Sequence, residues 1–178
     1  MWEKYTRQYN QSYSLCWRSL TSPTNARTMI AMILPTCPTC QSIQLLQTES
    51  NDELIMLLGL FNSLPFDYFV RLKMPGIDLT QSVIKQIPVP SEERYDICCN
   101  FYGHTAALRK HILSSICYLL KDEELLHDLL ESLEPLVYRI NEKNSKATVK
   151  KTLDRMFALA YQMDENDLLR IAGTFPKY

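Results

Sequence analysis

The scarcity of glycine is the feature that most constrains this chain. Its 178 residues contain only four glycines, and these lie far apart at Gly59, Gly76, Gly103 and Gly173. Nucleotide-binding folds hold phosphates with closely spaced glycines, as in the dinucleotide fingerprint and the phosphate-binding loop. Because no two glycines here have such a spacing, the sequence excludes these cradles and predicts a chain that carries no cofactor of its own.

The composition indicates a folded domain that lacks an overall field to attract nucleic acid. Apolar residues make up 46% of the chain, which is enough to build a core. The 19 Lys and Arg residues are balanced by 20 Asp and Glu residues, so any contact with DNA must be local. The sequence shows neither the roughly 18-residue apolar run of a membrane helix nor a signal-peptide pattern. We therefore expect a cytoplasmic protein.

Three short strands are predicted in the first quarter of the chain. Residues 12–20 alternate apolar and polar side chains, with Leu15 and Trp17 on the apolar side. Residues 29–34 form a short apolar run that Pro35 should end, and a third alternation surrounds Ile43. These patterns favour a small sheet that is buried on one face.

One interrupted helix should follow the strands. Ser50 and Glu53 have the spacing of a helix-capping box, and the apolar helix they open is expected to extend over about residues 52–63. Pro65 should interrupt or kink this helix, after which a helical face continues to Lys73. The first part of the chain is therefore predicted to be a mixed α/β region.

The link Ile87-Pro88-Val89-Pro90 is predicted to be extended, because its alternating prolines forbid a helix. We expect it to separate an α/β subdomain, residues 1–90, from a helical subdomain, residues 91–178. The second half shows apolar stripes at helical spacing that start at Leu108, Leu126 and Val149, and Asp164 with Asp167 should cap a short last helix. The predicted fold class is α+β, with a small strand/helix subdomain followed by a helical bundle.

Few residues carry recognisable chemistry. Cys37-Pro38-Thr39-Cys40 has the spacing of half a tetrahedral zinc site, but no second ligand pair is suitably placed. An ordinary loop is the favoured interpretation, zinc binding and redox chemistry remain alternatives, and we expect no bound metal. His104, His111 and His127 lack the spacing of a ligand pair and are interpreted as ordinary core or surface residues.

Local groups of cations are the best candidates for contact with DNA. Long cationic side chains at strand edges, turns and helix ends can reach a phosphate or a guanine edge. Five residues of the first half have such positions and form the predicted DNA-binding set: Arg18, Arg27, Arg71, Lys73 and Lys85. A second basic strip on a predicted helix consists of Lys143, Lys146, Lys150 and Lys151. A solvated face is the favoured interpretation, and a phosphate-binding face is the alternative.

The sequence contains a series of specific blocks, which are Thr24-Asn25-Ala26-Arg27-Thr28 running into residues 29–35, residues 57–63 with Phe66-Asp67-Tyr68, residues 86–90, Leu153-Asp154-Arg155 with residues 156–161, residues 164–171, and Thr174-Phe175-Pro176. These blocks resemble the C-terminal target-recognition region of type IIG restriction-modification enzymes and adenine-specific N6 DNA methyltransferases. They occur in the order of that family and span about residues 12–178. The two-cysteine loop at residues 37–40 departs from the pattern.

The resemblance implies a bacterial DNA target-recognition module whose catalytic parts lie upstream. Enzymes of that family transfer a methyl group from S-adenosylmethionine beside an Asn-Pro-Pro-Tyr motif, and this chain contains no such motif. We therefore expect no catalytic residues here, double-stranded DNA and an upstream methyltransferase domain as partners, and part of the recognition surface before residue 1. The alternative is a protein-docking or dimerisation module with a helical tail.

Overall fold

The computed structural model describes residues 11–74 and 76–176 and confirms the α+β class. Within those residues it contains two antiparallel β-sheets and seven α-helices. The larger sheet consists of β1 (Tyr13–Arg18), β2 (Ala31–Pro35) and β3 (Ile43–Leu46), in the order β2-β1-β3. The three predicted strands are thereby confirmed. β2 begins two residues later than the apolar run does, because the amides of Thr28 and Met29 donate to the carboxylate of Asp67 and not to a neighbouring strand.

Two helices that meet at 67° follow the sheet. α1 (Asn51–Phe61) begins at Ser50, whose hydroxyl accepts from the amide of Glu53. α2 (Leu64–Lys73) begins at Ser63 and has a proline in its first turn. The predicted interruption is confirmed, although it lies at Asn62 and Ser63, because Ser63 caps the second helix and does not end the first.

No single helix in residues 11–74 and 76–176 has the length and apolar character needed to cross a membrane. Only α1 and α2 taken together reach that length and composition, and they are the bent pair. Most of α1 is buried inside the protein, including Leu54, Ile55 and Leu60.

The prediction that the second half contains only helices is wrong. After the short helix α3 (Gln81–Ile84), the chain forms a β-hairpin from β4 (Cys98–Phe101) and β5 (His104–Ala107). Tyr102 and Gly103 make its turn with φ values of 55° and 79°. A two-residue turn with two positive φ angles matches the twist of paired strands, so it favours a hairpin although only one of the residues is glycine.

Four further helices complete the fold: α4 (Leu108–Leu120), α5 (His127–Ser132), α6 (Lys146–Ala160) and α7 (Glu165–Gly173). α4 has 13 residues and begins at Leu108, where the first predicted stripe starts. The second stripe is broken by 3-10 turns on either side of α5. The last helix is confirmed together with its capping box, in which Asp164 and Asp167 exchange backbone and side-chain bonds.

A single cluster of buried apolar residues includes members from both halves of the chain. α4 packs against both α1 and α6. At Gly59 of α1, a Cβ would collide with the Ile116 side chain of α4 and lie 3.1 Å from the Phe157 ring of α6. The proline link packs against the end of α6, where the Tyr161 hydroxyl donates to the Pro88 carbonyl at 2.8 Å. The division into subdomains at residue 90 stays a prediction.

Candidate nucleic-acid interface

The connection between β1 and β2 is a surface loop whose backbone is fixed at both ends. We call residues 22–27 the 22–27 loop; Pro23, Thr24 and Ala26 in it are exposed. At its base, the Thr21 hydroxyl donates to the Thr28 carbonyl at 2.7 Å, and the Thr28 hydroxyl donates to the Ser22 carbonyl at 3.3 Å. These side-chain bonds close the loop in the manner of a short turn.

Asp67 of α2 holds the far end of the loop. Its fully buried carboxylate accepts the Thr28 amide at 3.0 Å and the Met29 amide at 3.0 Å. Burial raises the pKa of Asp67, while the two amides and the guanidinium groups of Arg71 and Arg27 act in the opposite direction. The carboxylate satisfies backbone donors that would otherwise be buried without a partner.

Arg71 lies one helical turn after Asp67 and binds the middle of the loop. Its Nη2 donates to the Asn25 carbonyl at 2.8 Å, and its Nε lies 3.9 Å from a carboxylate oxygen of Asp67. The guanidinium carbon is 3.7 Å from the centre of the Phe175 ring. Only 10% of the Arg71 side chain is exposed, and burial lowers its pKa. Arg71 therefore serves the fold of the loop.

Arg27, the last residue of the loop, is tied to the helical half of the chain. Its Nη2 lies 3.4 Å from a carboxylate oxygen of Asp154, which is buried on α6. The other oxygen of Asp154 accepts the Leu64 amide at 2.6 Å, at the start of α2. The Arg27 side chain remains 31% exposed. It therefore has an internal partner and a face toward solvent.

Three of the five predicted DNA-binding residues are exposed: Arg18, Lys73 and Lys85. Arg18 ends β1, and its Nη2 lies 3.4 Å from the Thr21 hydroxyl. Lys73 ends α2 two residues after Arg71, and Lys85 caps the end of α3. The structure thus assigns Arg27 and Arg71 to internal contacts and leaves Arg18, Lys73 and Lys85 free to meet a ligand.

Backbone pairing brings the segment between α2 and α3 to the base of the loop. The Thr21 amide donates to the Ile77 carbonyl at 2.9 Å, and the Leu79 amide donates to the Ser19 carbonyl at 2.7 Å. The Trp17 indole donates to the Leu79 carbonyl at 3.0 Å. As a result, the segment that joins α2, which carries Lys73, to α3, which precedes Lys85, lies beside the end of β1, which carries Arg18.

The contacts around the loop join residues from four of the blocks that carry the resemblance. These blocks contribute the loop itself, Asp67, Asp154 and Phe175. No protein-family model, curated protein or solved structure matches the chain. The resemblance to target-recognition regions therefore rests on those blocks alone.

Asp67, Asp154 and Phe175 have structural roles that the sequence interpretation did not assign. For the two aspartates, the signal in the sequence was a charge within an apolar helical segment: Asp67 follows Phe66, and Asp154 follows Leu153 in a buried stripe. A buried carboxylate requires a partner. The partners could not be identified from sequence, since Arg27 and Asp154 are separated by 127 positions.

The cysteine and histidine residues do not gather into a metal site in the described part of the chain. Cys37 and Cys40 are exposed in the connection between β2 and β3. Among residues 11–74 and 76–176, the side chains close enough together to share an ion are His127, Asp128 and Glu131, which are all exposed. The zinc and redox alternatives for the cysteine pair stay predictions.

A second surface has the opposite electrostatic character. A groove of about 1030 Å³, which we call the acidic groove, lies between the end of α4, α5 and residues 134–142. Two cations, Lys121 and Arg139, line it together with six carboxylates: Asp122, Glu123, Glu124, Glu131, Glu134 and Glu142. This excess of negative charge repels phosphate, so the groove is unsuited to DNA.

Proposed function

We propose that this chain is the DNA target-recognition module of a larger bacterial restriction-modification enzyme that methylates adenine at N6. The parent enzyme would be cytoplasmic, and its cofactor site and catalytic residues would belong to another domain. The observation that carries the proposal is the 22–27 loop: an exposed loop fixed by buried contacts, with exposed cations on the elements that lead to its base. The assignment of DNA as the ligand also draws on the resemblance of the sequence blocks.

A surface loop that is already fixed suits recognition, because a flexible loop would have to become ordered on binding and this loss of entropy reduces affinity. The Asp67, Arg71 and Asp154 side chains hold the loop before any ligand arrives. Buried charges are costly unless they are paired. Several of them hold this surface loop, which supports a functional role for the conformation of the loop. Binding residues are frequently found on loops that a rigid scaffold positions.

The exposed cations and the largely buried Arg71 would have different roles. Arg18, Lys73 and Lys85 would contact phosphates and set the position of the duplex, whereas Arg71 would hold the loop. A few phosphate contacts on a nearly neutral chain give weak binding, with a Kd on the order of 10⁻⁴ to 10⁻⁶ M at physiological salt. The chain should gain specificity only when the upstream domain contacts the duplex as well.

The test is the salt dependence of binding to a fluorescent DNA duplex, measured by anisotropy. We expect the triple variant Arg18→Ala, Lys73→Ala, Lys85→Ala to lower the slope of log K against log salt by about 0.9 for each phosphate that it no longer neutralises. The matched control removes three exposed lysines that do not line a pocket with Arg27: Lys110→Ala, Lys143→Ala, Lys151→Ala. Equal slopes for the two triple variants would contradict a specific DNA-binding surface.

A protein-docking module is the second candidate function, and the acidic groove is the observation that favours it. Its carboxylates complement a basic partner. The two functions differ in the same titration, because a docking module would show no saturable DNA binding at low salt. Any residual DNA binding would then be independent of Arg18, Lys73 and Lys85.

A further inference from the structure

Phe175 connects the C-terminal helix to Arg27 of the 22–27 loop and to Arg71 of α2, which binds that loop. It follows α7 and is buried in a small apolar cluster with Leu64, Ala158, Leu168 and Ile171. The ring centre lies 3.7 Å from the guanidinium carbon of Arg71 and 5.6 Å from that of Arg27. The cluster that holds α7 in place is thus separate from the main core, and its Phe175 ring lies against Arg71, which binds the loop.

The Phe175 ring lies against the Arg71 guanidinium. Arg71 binds the carbonyls of Asn25 and Ala26 through one nitrogen, and its carboxylate neighbour Asp67 is 3.9 Å away. A guanidinium over an aromatic face is attracted by the ring electrons, and this attraction increases when water is excluded. The ring therefore fixes the plane of the group that holds the loop.

We propose that Phe175 is a positioning residue that couples the docking of α7 to the order of the 22–27 loop and, through the loop, to DNA binding. Its second part rests on the proposed function, while the coupling to loop order does not. The ring contacts the arginine that binds the middle of the loop and the arginine that ends it. Removal of the ring face would release both ends of this connection.

Hydrogen exchange of the purified chain tests the coupling without DNA. Phe175→Leu keeps an apolar side chain in the cluster but removes the ring, whereas Phe175→Tyr keeps the ring. We expect the Asn25 amide, which donates to the Ser22 carbonyl, to exchange roughly tenfold faster in Phe175→Leu. Phe175→Tyr should exchange like the wild type, and the buried Ile112 and Ile116 amides of α4 should be unchanged in both variants.

Two exchange results would overturn the coupling. One is an unchanged Asn25 amide in Phe175→Leu. The other is equal acceleration of Asn25, Ile112 and Ile116, which would show that the ring only supports the fold as a whole. Because the Phe175→Tyr variant has the same ring face, failure of that variant to restore wild-type exchange would also contradict a role for the face.

The DNA part uses the same variants in the anisotropy titration. We expect Phe175→Leu to weaken binding of the duplex roughly threefold to tenfold, because a smaller fraction of molecules has the loop in its bound form. The salt slope should stay the same, since no phosphate contact is removed. Faster loop exchange with unchanged DNA affinity would overturn the DNA part alone, and absence of DNA binding by the wild type would overturn the proposed function while leaving the coupling intact.

Discussion

The charges around the 22–27 loop and those of the acidic groove form similar pairs in different surroundings. The carboxylate of Asp67 is 1% exposed, and its partners are buried amides and Arg71. Asp122, at the groove, is 64% exposed and pairs with Lys146 at 2.9 Å. Water solvates the second pair whether or not it forms, but it cannot reach the first. Burial, more than distance, therefore decides which pair stabilises the fold.

The two regions also direct opposite charges toward solvent. The loop region exposes Arg18, Lys73 and Lys85, while the groove exposes an excess of carboxylates. The net charge of −1 conceals this separation. A nearly neutral chain can therefore present exposed cations in one region and an excess of carboxylates in another.

The largest effect is expected from removing the buried carboxylate. Asp67→Ala leaves two buried amides and the Arg71 guanidinium without their acceptor, so it should lower the free energy of unfolding by about 3–5 kcal/mol. The matched control is Asp122→Ala, which should leave the urea midpoint unchanged because its pair is solvated. A comparable loss in both variants would remove the distinction between the two regions.

Local patterns in the sequence predicted much of the fold around the loop. The alternation at Leu15 and Trp17, the Ser50 cap and the interruption before Pro65 all depend on neighbours within a few positions. Such signals act over the same short range as the structure they specify. The predicted strands, the Ser50 cap and the interruption of the helix were confirmed for that reason.

The hairpin and the internal contacts of the cations could not be predicted in the same way. β4 and β5 are four residues each, and their turn depends on Tyr102 adopting a positive φ, which is uncommon for that residue type. The position of Arg71 in the sequence predicted exposure, but its distant partner Phe175 buries it. Contacts between residues that are far apart in sequence leave no periodic pattern to detect.

The next largest effect should come from the contact at Gly59 that joins the two halves of the chain. Gly59→Ala places a methyl group against Ile116 and Phe157, so we expect a loss of about 1–3 kcal/mol in the free energy of unfolding. Gly76→Ala is the control, because a Cβ there has nothing within 4 Å. Urea unfolding should be followed by tryptophan fluorescence and by far-ultraviolet circular dichroism.

The same experiment tests whether residue 90 divides the chain into two folding units. If the α/β and helical parts are joined through Gly59, both signals should move together in Gly59→Ala. Two separated transitions would instead support independent subdomains.

A smaller loss is expected from a hydroxyl beside the groove. The buried His111 ring donates through Nε2 to the Cys99 carbonyl at 3.1 Å, so its Nδ1 accepts from the Tyr138 hydroxyl at 2.5 Å. Tyr138→Phe leaves that nitrogen without its donor and should cost about 1–2 kcal/mol in a denaturation experiment. The Tyr118 hydroxyl donates to the half-buried Asn144 carbonyl, so Tyr118→Phe should lower the free energy of unfolding less than Tyr138→Phe does. A larger loss for Tyr118→Phe would contradict the role of burial.

The smallest effect concerns the titration of the two carboxyl groups that define the comparison. Burial raises the pKa of Asp67, whereas the hydrogen bond from Lys146 lowers the pKa of Asp122. A carboxyl group whose pKa is raised by folding contributes stability below its unfolded pKa and loses that contribution as pH rises through its folded pKa. A lowered pKa has the reverse effect: its contribution is present above the unfolded pKa and is lost as pH falls through the folded value.

These signs give a prediction that can be checked by carbon NMR of the side-chain carboxyl groups. Asp67 should titrate at a higher pH than Asp122, and the stability of the wild type relative to Asp67→Asn should decrease as pH rises through the Asp67 midpoint. A midpoint for Asp67 below that of Asp122 would show that the Thr28 and Met29 amides and the Arg71 guanidinium outweigh burial. The loop would then be held by a carboxylate that folding stabilises in its charged form.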